Sequence, residues 1–218
     1  MKSRFFANGL AVLTLLGLLA GAAQAGAAGV LVFGDSLSAS YGIANGEGWV
    51  DLLGERLQAV AQSENAQAAI VPVINASASG ETTQGGLTRI DDVLARHRPD
   101  VFILELGGND ALRGLALDRT KQNLTTMIKR ARASGASVLL LGMQVPPNLG
   151  PAYTKRFRLL FRELHDELQV AWVPFFLQGV AGDSQLMQRD GIHPTAQAQA
   201  QLLENVWPTL QELLQRND

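Results

Sequence analysis

Two short segments of the sequence carry a candidate nucleophile and a candidate base. A Gly-Asp-Ser tripeptide at residues 34–36 directly follows an apolar run, and a tight turn there would present the Ser36 hydroxyl together with its own backbone N–H. An Asp-Gly-Ile-His-Pro segment at residues 190–194 places Asp190 three residues before His193. Asp190 could accept a hydrogen bond from the imidazole, and His193 could then remove the hydroxyl proton as a general base. The pair predicts attack on an acyl carbon, although each segment alone could simply cap a helix.

Two further segments offer groups that could stabilise the negative charge formed in such an attack. Gly80 lies in a run of small residues, 75–82, and a glycine lets a backbone amide approach a ligand closely. Asn109 follows paired glycines within residues 107–110, and its side-chain amide is a hydrogen-bond donor. Taken singly, these segments are typical of an ordinary loop and an Asn-Asp turn. With the serine and histidine segments they predict one site.

The elements that would position these segments predict an α/β fold, because short apolar runs alternate with helical patterns. Pro72 interrupts the second predicted strand, which should therefore lie at an edge of the sheet. This fits a flavodoxin-like, doubly wound parallel sheet of order 2-1-3-4-5 in a three-layer αβα sandwich, with a ligand site at the carboxyl ends of the first and third strands. The predicted strands are residues 30–33, 70–74, 101–106, 138–141 and 170–173.

Apolar side chains also recur at helical spacing between these strands. The patterns cover residues 49–60, 87–94, 124–131 and 153–164. A last helix is predicted over residues 195–214, with Pro194 at its start and Pro208 expected to kink it or divide it in two. The tripeptide at residues 34–36 is predicted to lead from a strand into a helix.

The composition predicts a single exported domain. Residues 1–25 have a positive start at Lys2 and Arg4, an apolar stretch and a small-residue cleavage site, which is typical of a cleaved signal peptide. Cleavage would leave one catalytic domain over residues 26–218, with 16 basic and 20 acidic residues, so nucleic acid is a poor candidate partner. Cysteine is absent, which excludes a thiol nucleophile and a lipid-modified N-terminal cysteine.

Several other residues have side chains that could act in catalysis, but their positions in the sequence disfavour such a role. A second Gly-Asp-Ser, ending at Ser184, follows a polar run and not a strand, which disfavours it as the nucleophile. His97 and His165 fall late in predicted helices, where such side chains are common. With three scattered histidines and no cysteine, neither a metal site nor a cofactor is expected. Asp35 and Asp110 are predicted to be turn and network residues.

The four segments resemble the blocks that define the SGNH, or GDSL-type, hydrolases. All four blocks match, and they span nearly all of the chain after residue 25. The resemblance implies that Ser36 is the nucleophile, His193 the base and Asp190 the residue that orients the base. It also implies an oxyanion hole made of the backbone N–H groups of Ser36 and Gly80 and the side-chain amide of Asn109.

The segments that flank these blocks narrow the resemblance to one group. Residues 37–39, 104–106 and 112–114 resemble those of bacterial periplasmic enzymes with thioesterase, lysophospholipase and arylesterase activities. This similarity implies an acyl-enzyme on Ser36 and small-molecule substrates, namely acyl esters, thioesters and lysophospholipids. It also implies a periplasmic protein, expected to be a monomer without a transmembrane anchor after signal cleavage.

Two apolar loops, at residues 111–117 and 143–153, follow the third and fourth predicted strands and are expected to hold a medium or long acyl chain. The residues expected to bind it are Leu112, Leu115, Val145, Pro146 and Leu149. Two other functions stay open at this stage. A carbohydrate or peptidoglycan O-deacetylase of the same family would need a shallower, more polar cleft. A non-enzymatic envelope binding protein would have no need of a nucleophile, a base and oxyanion donors together.

Overall fold

Five parallel strands form one sheet in the order β2-β1-β3-β4-β5, as the sequence predicts. The strands are β1 Val30–Gly34, β2 Val73–Asn75, β3 Val101–Glu105, β4 Ser137–Leu141 and β5 Ala171–Val173. The computed structural model describes residues 29–63 and 71–217. The predicted signal peptide, the first residues after it and the start of the second predicted strand lie outside these ranges.

The two central strands, β1 and β3, are buried at every residue. Parallel strands covered on both faces need such continuous apolar runs, and this is why both read as uninterrupted hydrophobic segments. Their register pairs Gly34, the last residue of β1, with Glu105, the last residue of β3. The only charged side chain of these two strands therefore lies directly beside the tripeptide that contains Ser36.

The edge position predicted for the second strand is confirmed. Strand β2 pairs only with β1 and begins at Val73, one residue after Pro72. Pro72 has no N–H to donate, but its carbonyl accepts a hydrogen bond of 2.9 Å from the N–H of Val30. The proline thus bounds the strand and still joins it to β1.

Five of the six helices in the described ranges form two groups that cover the sheet. Helices α1 and α6 pack against each other, whereas α4 packs against both α2 and α5, which gives the three layers expected of a doubly wound fold. None of the helices in the described ranges is long and apolar enough to cross a membrane. Their bounds are α1 Trp49–Ser63, α2 Thr83–His97, α3 Gly108–Leu112, α4 Leu117–Ala133, α5 Pro151–Leu168 and α6 Gln199–Asn217, with short 3₁₀ helices at Pro147–Leu149 and Ala196–Ala198.

The sequence predicted that Pro208 would kink the last helix or divide it and that Pro194 would start it. Helix α6 is not divided at Pro208 but continues through it, because Val206 and Leu210 on either side are fully buried and this packing offsets the lost backbone hydrogen bond. Pro194 does not start the helix either. It forms an isolated antiparallel bridge with Met187, and helical structure begins only at Ala196.

The turn at Ser36 also differs from the prediction, because no regular helix follows it. The N–H of Ala39 donates to the carbonyl of Asp35 at 2.9 Å, which makes a single helical turn. Turns then continue to Gly42, and α1 starts only at Trp49. The Ser36 N–H is therefore presented by a short turn whose conformation depends on contacts with neighbouring segments.

Candidate active site

Three side chains from distant parts of the chain form a hydrogen-bonded row at the carboxyl edge of the sheet. The Nε2 atom of His193 lies 2.8 Å from the Oγ atom of Ser36, and its Nδ1 atom lies 2.6 Å from the Oδ2 atom of Asp190. These are the distances at which an imidazole can remove a hydroxyl proton while a carboxylate stabilises the resulting positive charge. The structure thus brings together the serine, histidine and aspartate selected from the sequence.

Asp190 is held as an ionised carboxylate by its own turn. Partial burial acts to raise its pKa, but hydrogen bonds from the backbone N–H groups of His193 and Ile192 and from the imidazole together lower the pKa to about 2. The carboxylate can then only accept, so the His193 proton stays on Nδ1 and Nε2 faces Ser36 as an acceptor.

The ring of His193 is restrained by Tyr41, a residue that was not predicted to belong to the site. Tyr41 packs on the imidazole with ring centroids 4.5 Å apart. The side-chain amide of Gln188 fixes the tyrosine segment by donating to the carbonyl of Tyr41 at 2.8 Å and to that of Pro194 at 3.0 Å. Tyr41 lies in a turn without helical or strand periodicity, so no sequence pattern indicated this contact.

Asn109, at the start of α3, is hydrogen-bonded to Asp35, the residue that directly precedes Ser36. The Nδ2 atom of Asn109 donates to the Oδ2 atom of Asp35 at 2.9 Å. An amide nitrogen carries two hydrogens, so one is used to orient the side chain and the other can donate to a further acceptor. Both Ser36 and Asn109 line the same cavity.

Gly80 adopts a positive φ of 77°, a conformation that glycine adopts without strain. Its carbonyl accepts a hydrogen bond of 2.9 Å from the guanidinium of Arg113, which follows α3. The Gly80 loop is thus tied to the helix that carries Asn109. Gly80 itself is exposed and lies outside the lining of the cavity.

A mostly apolar cavity of about 530 Å³ opens beside Ser36 and His193. Three of the five residues expected to bind an acyl chain, Leu112, Val145 and Pro146, line it. The other two, Leu115 and Leu149, do not, and the backbone carbonyl of Leu115 instead accepts from the hydroxyl of Tyr153 at 3.1 Å.

Part of the cavity lining was not predicted from the sequence. It comes from the segment after β5 and includes Phe175, Leu177 and Met187. These residues follow neither helical nor strand spacing, so nothing in the sequence separated them from ordinary loop residues. Together with Leu112 and Val145 they line one mostly apolar cavity, called the slot below.

The sequence as a whole matches a known family over most of its length. A model of the GDSL-like lipase/acylhydrolase family matches residues 32–201, a range that contains Ser36, Gly80, Asn109, Asp190 and His193. The chain belongs to this family. The match spans the sheet, the cavity and every block singled out in the sequence, so the GDSL-like family assignment rests on the whole domain and not on the Gly-Asp-Ser tripeptide.

Individual GDSL-like relatives agree with this assignment. The chain is 49% identical over 191 residues to a protein named esterase TesA from Pseudomonas aeruginosa, covering 88% of this chain and 92% of that protein. It is 36% identical over 185 residues to thioesterase 1/protease 1/lysophospholipase L1 of Escherichia coli K12, covering 85% and 84% of the two chains. A crystal structure of TesA superposes with a TM-score of 0.78 at 49% identity, covering 84% of this chain and 98% of the other.

The two acids expected to be turn and network residues of this GDSL-like domain are both buried. Asp110 accepts hydrogen bonds from the N–H and hydroxyl of Thr83, at 2.8 and 2.5 Å, and from the hydroxyl of Thr120 at 3.2 Å. It therefore ties the starts of α2 and α4 to α3. Asp35 accepts from the N–H of Leu37 at 3.1 Å and from Asn109, so it joins the Ser36 turn to α3.

The remaining candidates lie apart from the site. Ser184 is exposed in a turn and does not line the cavity. His97 is in the last turn of α2, and His165 is near the end of α5, where its Nδ1 atom is 2.7 Å from the carbonyl of Val170. Both histidines thus occupy the helix-end positions expected for them.

Burial of Asp35 predicts a pH dependence of stability. Burial raises the pKa of Asp35 from 3.8 to about 6, against the opposing hydrogen bonds from Leu37 and Asn109. The folded chain then keeps a proton that the unfolded chain has already released, so the free energy of unfolding should fall as the pH rises from about 4 to about 6. We expect Asp35 to contribute up to about 3 kcal/mol to this decrease, measured by urea unfolding across this pH range.

The matched variant for this prediction is Asp35→Asn, which does not titrate. Its unfolding free energy should depend less steeply on pH over the same range than that of the wild type. Only the slopes are compared, so an overall loss of stability in the variant does not affect the result. Equal slopes for the two proteins would contradict a raised Asp35 pKa.

Proposed function

We propose that this protein is a serine hydrolase that cleaves acyl esters and thioesters through an acyl-enzyme on Ser36. The observation that carries the proposal is the row of Asp190, His193 and Ser36 at the mouth of an apolar cavity. A nucleophile activated by a base and placed beside an apolar slot suits the attack of an acyl chain at its carbonyl carbon.

The proposed reaction follows from these contacts. Nε2 of His193 accepts the Ser36 proton as Oγ bonds to the acyl carbon, and the negative charge moves to the carbonyl oxygen. The imidazolium then gives this proton to the departing alcohol or thiol, which leaves the acyl group on Ser36. Nε2 then takes a proton from a water molecule as the water oxygen bonds to the acyl carbon. The bond between the acyl carbon and Oγ breaks, the proton returns to Oγ of Ser36, and the free acid leaves.

The developing negative oxygen requires donors that are in place before the reaction. We assign this role to the backbone N–H groups of Ser36 and Gly80 and to the second hydrogen of the Asn109 amide. Asp35 supports the assignment by holding the other amide hydrogen at 2.9 Å, because a donor that is already oriented costs no reorganisation in the transition state.

Two observations support the proposed substrate class: the names of the relatives and the apolar lining of the cavity. One relative is named an esterase, and another a thioesterase and lysophospholipase. The apolar lining suits acyl chains of medium or long length, with lysophospholipids among the substrates. A polysaccharide O-deacetylase is less well suited, because a mostly apolar lining offers few partners for the hydroxyl groups of a glycan.

The proposal also includes the cellular compartment in which the protein acts. We assign residues 1–25 to a cleaved signal peptide and the mature chain, from near residue 26, to the periplasm as a monomer without a membrane anchor. N-terminal sequencing of the protein from a periplasmic extract, with its mass in solution, tests all three points. A mature protein that still begins at Met1 would refute the signal assignment.

The function is tested by measuring hydrolysis of p-nitrophenyl esters, acyl-CoA thioesters and a lysophospholipid by the purified mature chain. We expect activity on all three and a covalent acyl-enzyme detectable by mass spectrometry after rapid quenching. Activity on acetylated glycan with none on these acyl substrates would favour the deacetylase instead.

Filling the cavity should change the chain-length preference. Val145 is half-buried in the lining, so a Val145→Trp substitution should block the slot while leaving Ser36 and His193 in place. We expect kcat/KM to fall by about tenfold or more for p-nitrophenyl dodecanoate and to change little for p-nitrophenyl acetate.

The control for this substitution is Val60→Trp, an equal change at an exposed position on α1 outside the cavity lining. It should leave the chain-length profile as it is in the wild type. A uniform loss across all esters in Val145→Trp would indicate misfolding or damage to the catalytic row. An unchanged profile would show that the acyl chain lies elsewhere.

A further inference from the structure

A fully buried glutamate lies beneath the serine turn. Glu105 is 0% exposed and ends β3 beside the last residue of β1. Its Oε2 atom accepts hydrogen bonds from the N–H of Asp35 at 3.1 Å and from the hydroxyl of Ser38 at 2.8 Å. The indole N–H of Trp49 in turn donates to the Ser38 oxygen at 3.3 Å. One oxygen of Glu105 thus anchors the residues on both sides of Ser36.

The other oxygen of Glu105 has no conventional donor. Its Oε1 atom is buried, and within the described ranges no N–H or O–H group donates to it. The carboxyl group of Asp35 belongs to a residue whose own N–H already donates to Glu105, and its negative charge raises the pKa of Glu105. Two ionised carboxylates cannot bond to each other, because neither has a hydrogen to donate.

The hydrogen bonds of Asp35 indicate which of the two acids holds a proton. Both of its oxygens accept, Oδ1 from the N–H of Leu37 and Oδ2 from the amide of Asn109. These donors favour the ionised form of Asp35. Glu105 has one oxygen with two donors and one with none, so a proton on Oε1 satisfies both side chains.

We propose that Glu105 is a positioning residue that keeps a proton on Oε1 and donates it to the Asp35 carboxylate. The acid pair then carries one negative charge, located on Asp35. That charge holds the Asn109 amide through a 2.9 Å hydrogen bond and the start of the Ser36 turn through Leu37. Glu105 touches no reacting atom, and it acts through Asp35 on the group assigned to bind the developing oxyanion.

Electrostatics favours the shared proton over two buried charges. Burial raises the pKa of Glu105 well above its ordinary value, and the negative charge of Asp35 raises this pKa further, against the hydrogen bonds from Ser38 and from the N–H of Asp35. A second charge at a fully buried position is costly unless it is paired, so both effects favour the proposed proton on Glu105.

The test compares Glu105→Gln with Glu105→Leu. Glutamine imitates the protonated acid, because its oxygen can accept from Ser38 and Asp35 while its NH₂ group donates to the Asp35 carboxylate. Leucine is similar in volume but offers neither function. We expect Glu105→Gln to keep kcat within about threefold of the wild type and Glu105→Leu to lose about 10- to 100-fold in kcat with little change in KM, the effect of a misplaced catalytic group.

This activity comparison rests on the proposed function, so a spectroscopic readout is added. Infrared difference spectra of the wild type minus Glu105→Gln at neutral pH should contain the carbonyl stretch of a protonated carboxylic acid. That band tests the protonation of Glu105 even if the protein hydrolyses none of the acyl substrates. Circular dichroism of each variant verifies that it is folded.

Each outcome bears on the proposal. The carboxylic acid band, together with rescue of kcat by glutamine but not by leucine, supports it. Absence of the band, or a loss in Glu105→Gln as large as that in Glu105→Leu, overturns it, because the site would then require an ionised glutamate. A Glu105→Leu protein that folds and retains full kcat would also overturn it.

Discussion

Replacing Ser36 with alanine is expected to lower kcat for p-nitrophenyl butyrate by about a million-fold, the scale seen when a triad serine is removed. The change deletes only the Oγ atom that lies 2.8 Å from Nε2 of His193. KM should stay within a few-fold of the wild type, because the cavity that holds the acyl chain is formed by other residues. No acyl-enzyme should appear in the mass spectrum of the quenched reaction.

The control is Ser184→Ala, which makes the same change in the other Gly-Asp-Ser of the chain. Ser184 is exposed and lies outside the cavity lining, so its removal should leave kcat and the acyl-enzyme peak as they are. Substantial activity in Ser36→Ala, or a loss of activity in Ser184→Ala, would show that Ser36 is not the nucleophile. Either result would refute the proposed mechanism.

Replacing Asp190 with asparagine should lower kcat by about 10⁴-fold, although it removes only one negative charge. The new NH₂ group would face Nδ1 of His193, where the Oδ2 atom now accepts at 2.6 Å. The imidazole would then place its proton on Nε2, and that nitrogen could no longer accept the Ser36 proton. Steady-state kinetics on the same ester measures this loss.

Asp183→Asn is the matched control, because Asp183 occupies a similar exposed turn. Its Oδ1 atom accepts from the N–H two residues ahead at 2.8 Å, just as that of Asp190 accepts from Ile192 at 2.9 Å. The control should therefore cost at most a little stability and no activity. A similar kcat in both variants would mean that the Asp190 carboxylate does not orient His193.

The parts of the fold that the sequence predicted are those where burial leaves a regular pattern. Strands β1 and β3 read as continuous apolar runs because both of their faces are covered. Pro72 marked the edge strand because a proline cannot donate within a ladder. Ser36 was found because it directly follows a predicted strand, and Asp190 and His193 because an aspartate three residues before a histidine can accept from the imidazole.

The missed features depend on contacts between segments far apart in the chain. Helix α6 continues through Pro208 because packing on both sides outweighs a local preference. The contact of Tyr41 with His193 joins residues more than a hundred positions apart, and neither segment has a periodicity that predicts it. Glu105 reads as the charged end of a strand, and only the register with β1 reveals it beneath Ser36.

Gly34, which begins the Gly-Asp-Ser motif, is a glycine because neighbouring side chains leave no room for a Cβ atom. A Cβ atom at Gly34 would lie 2.5 Å from the Oε2 atom of Glu105 and 2.8 Å from the Ser38 hydroxyl, and Gly34 has no positive φ that would itself require glycine. In evolution, an alanine at position 34 thus requires smaller or displaced side chains at both residue 105 and residue 38. Lineages that keep Glu105 and Ser38 should therefore keep glycine at position 34.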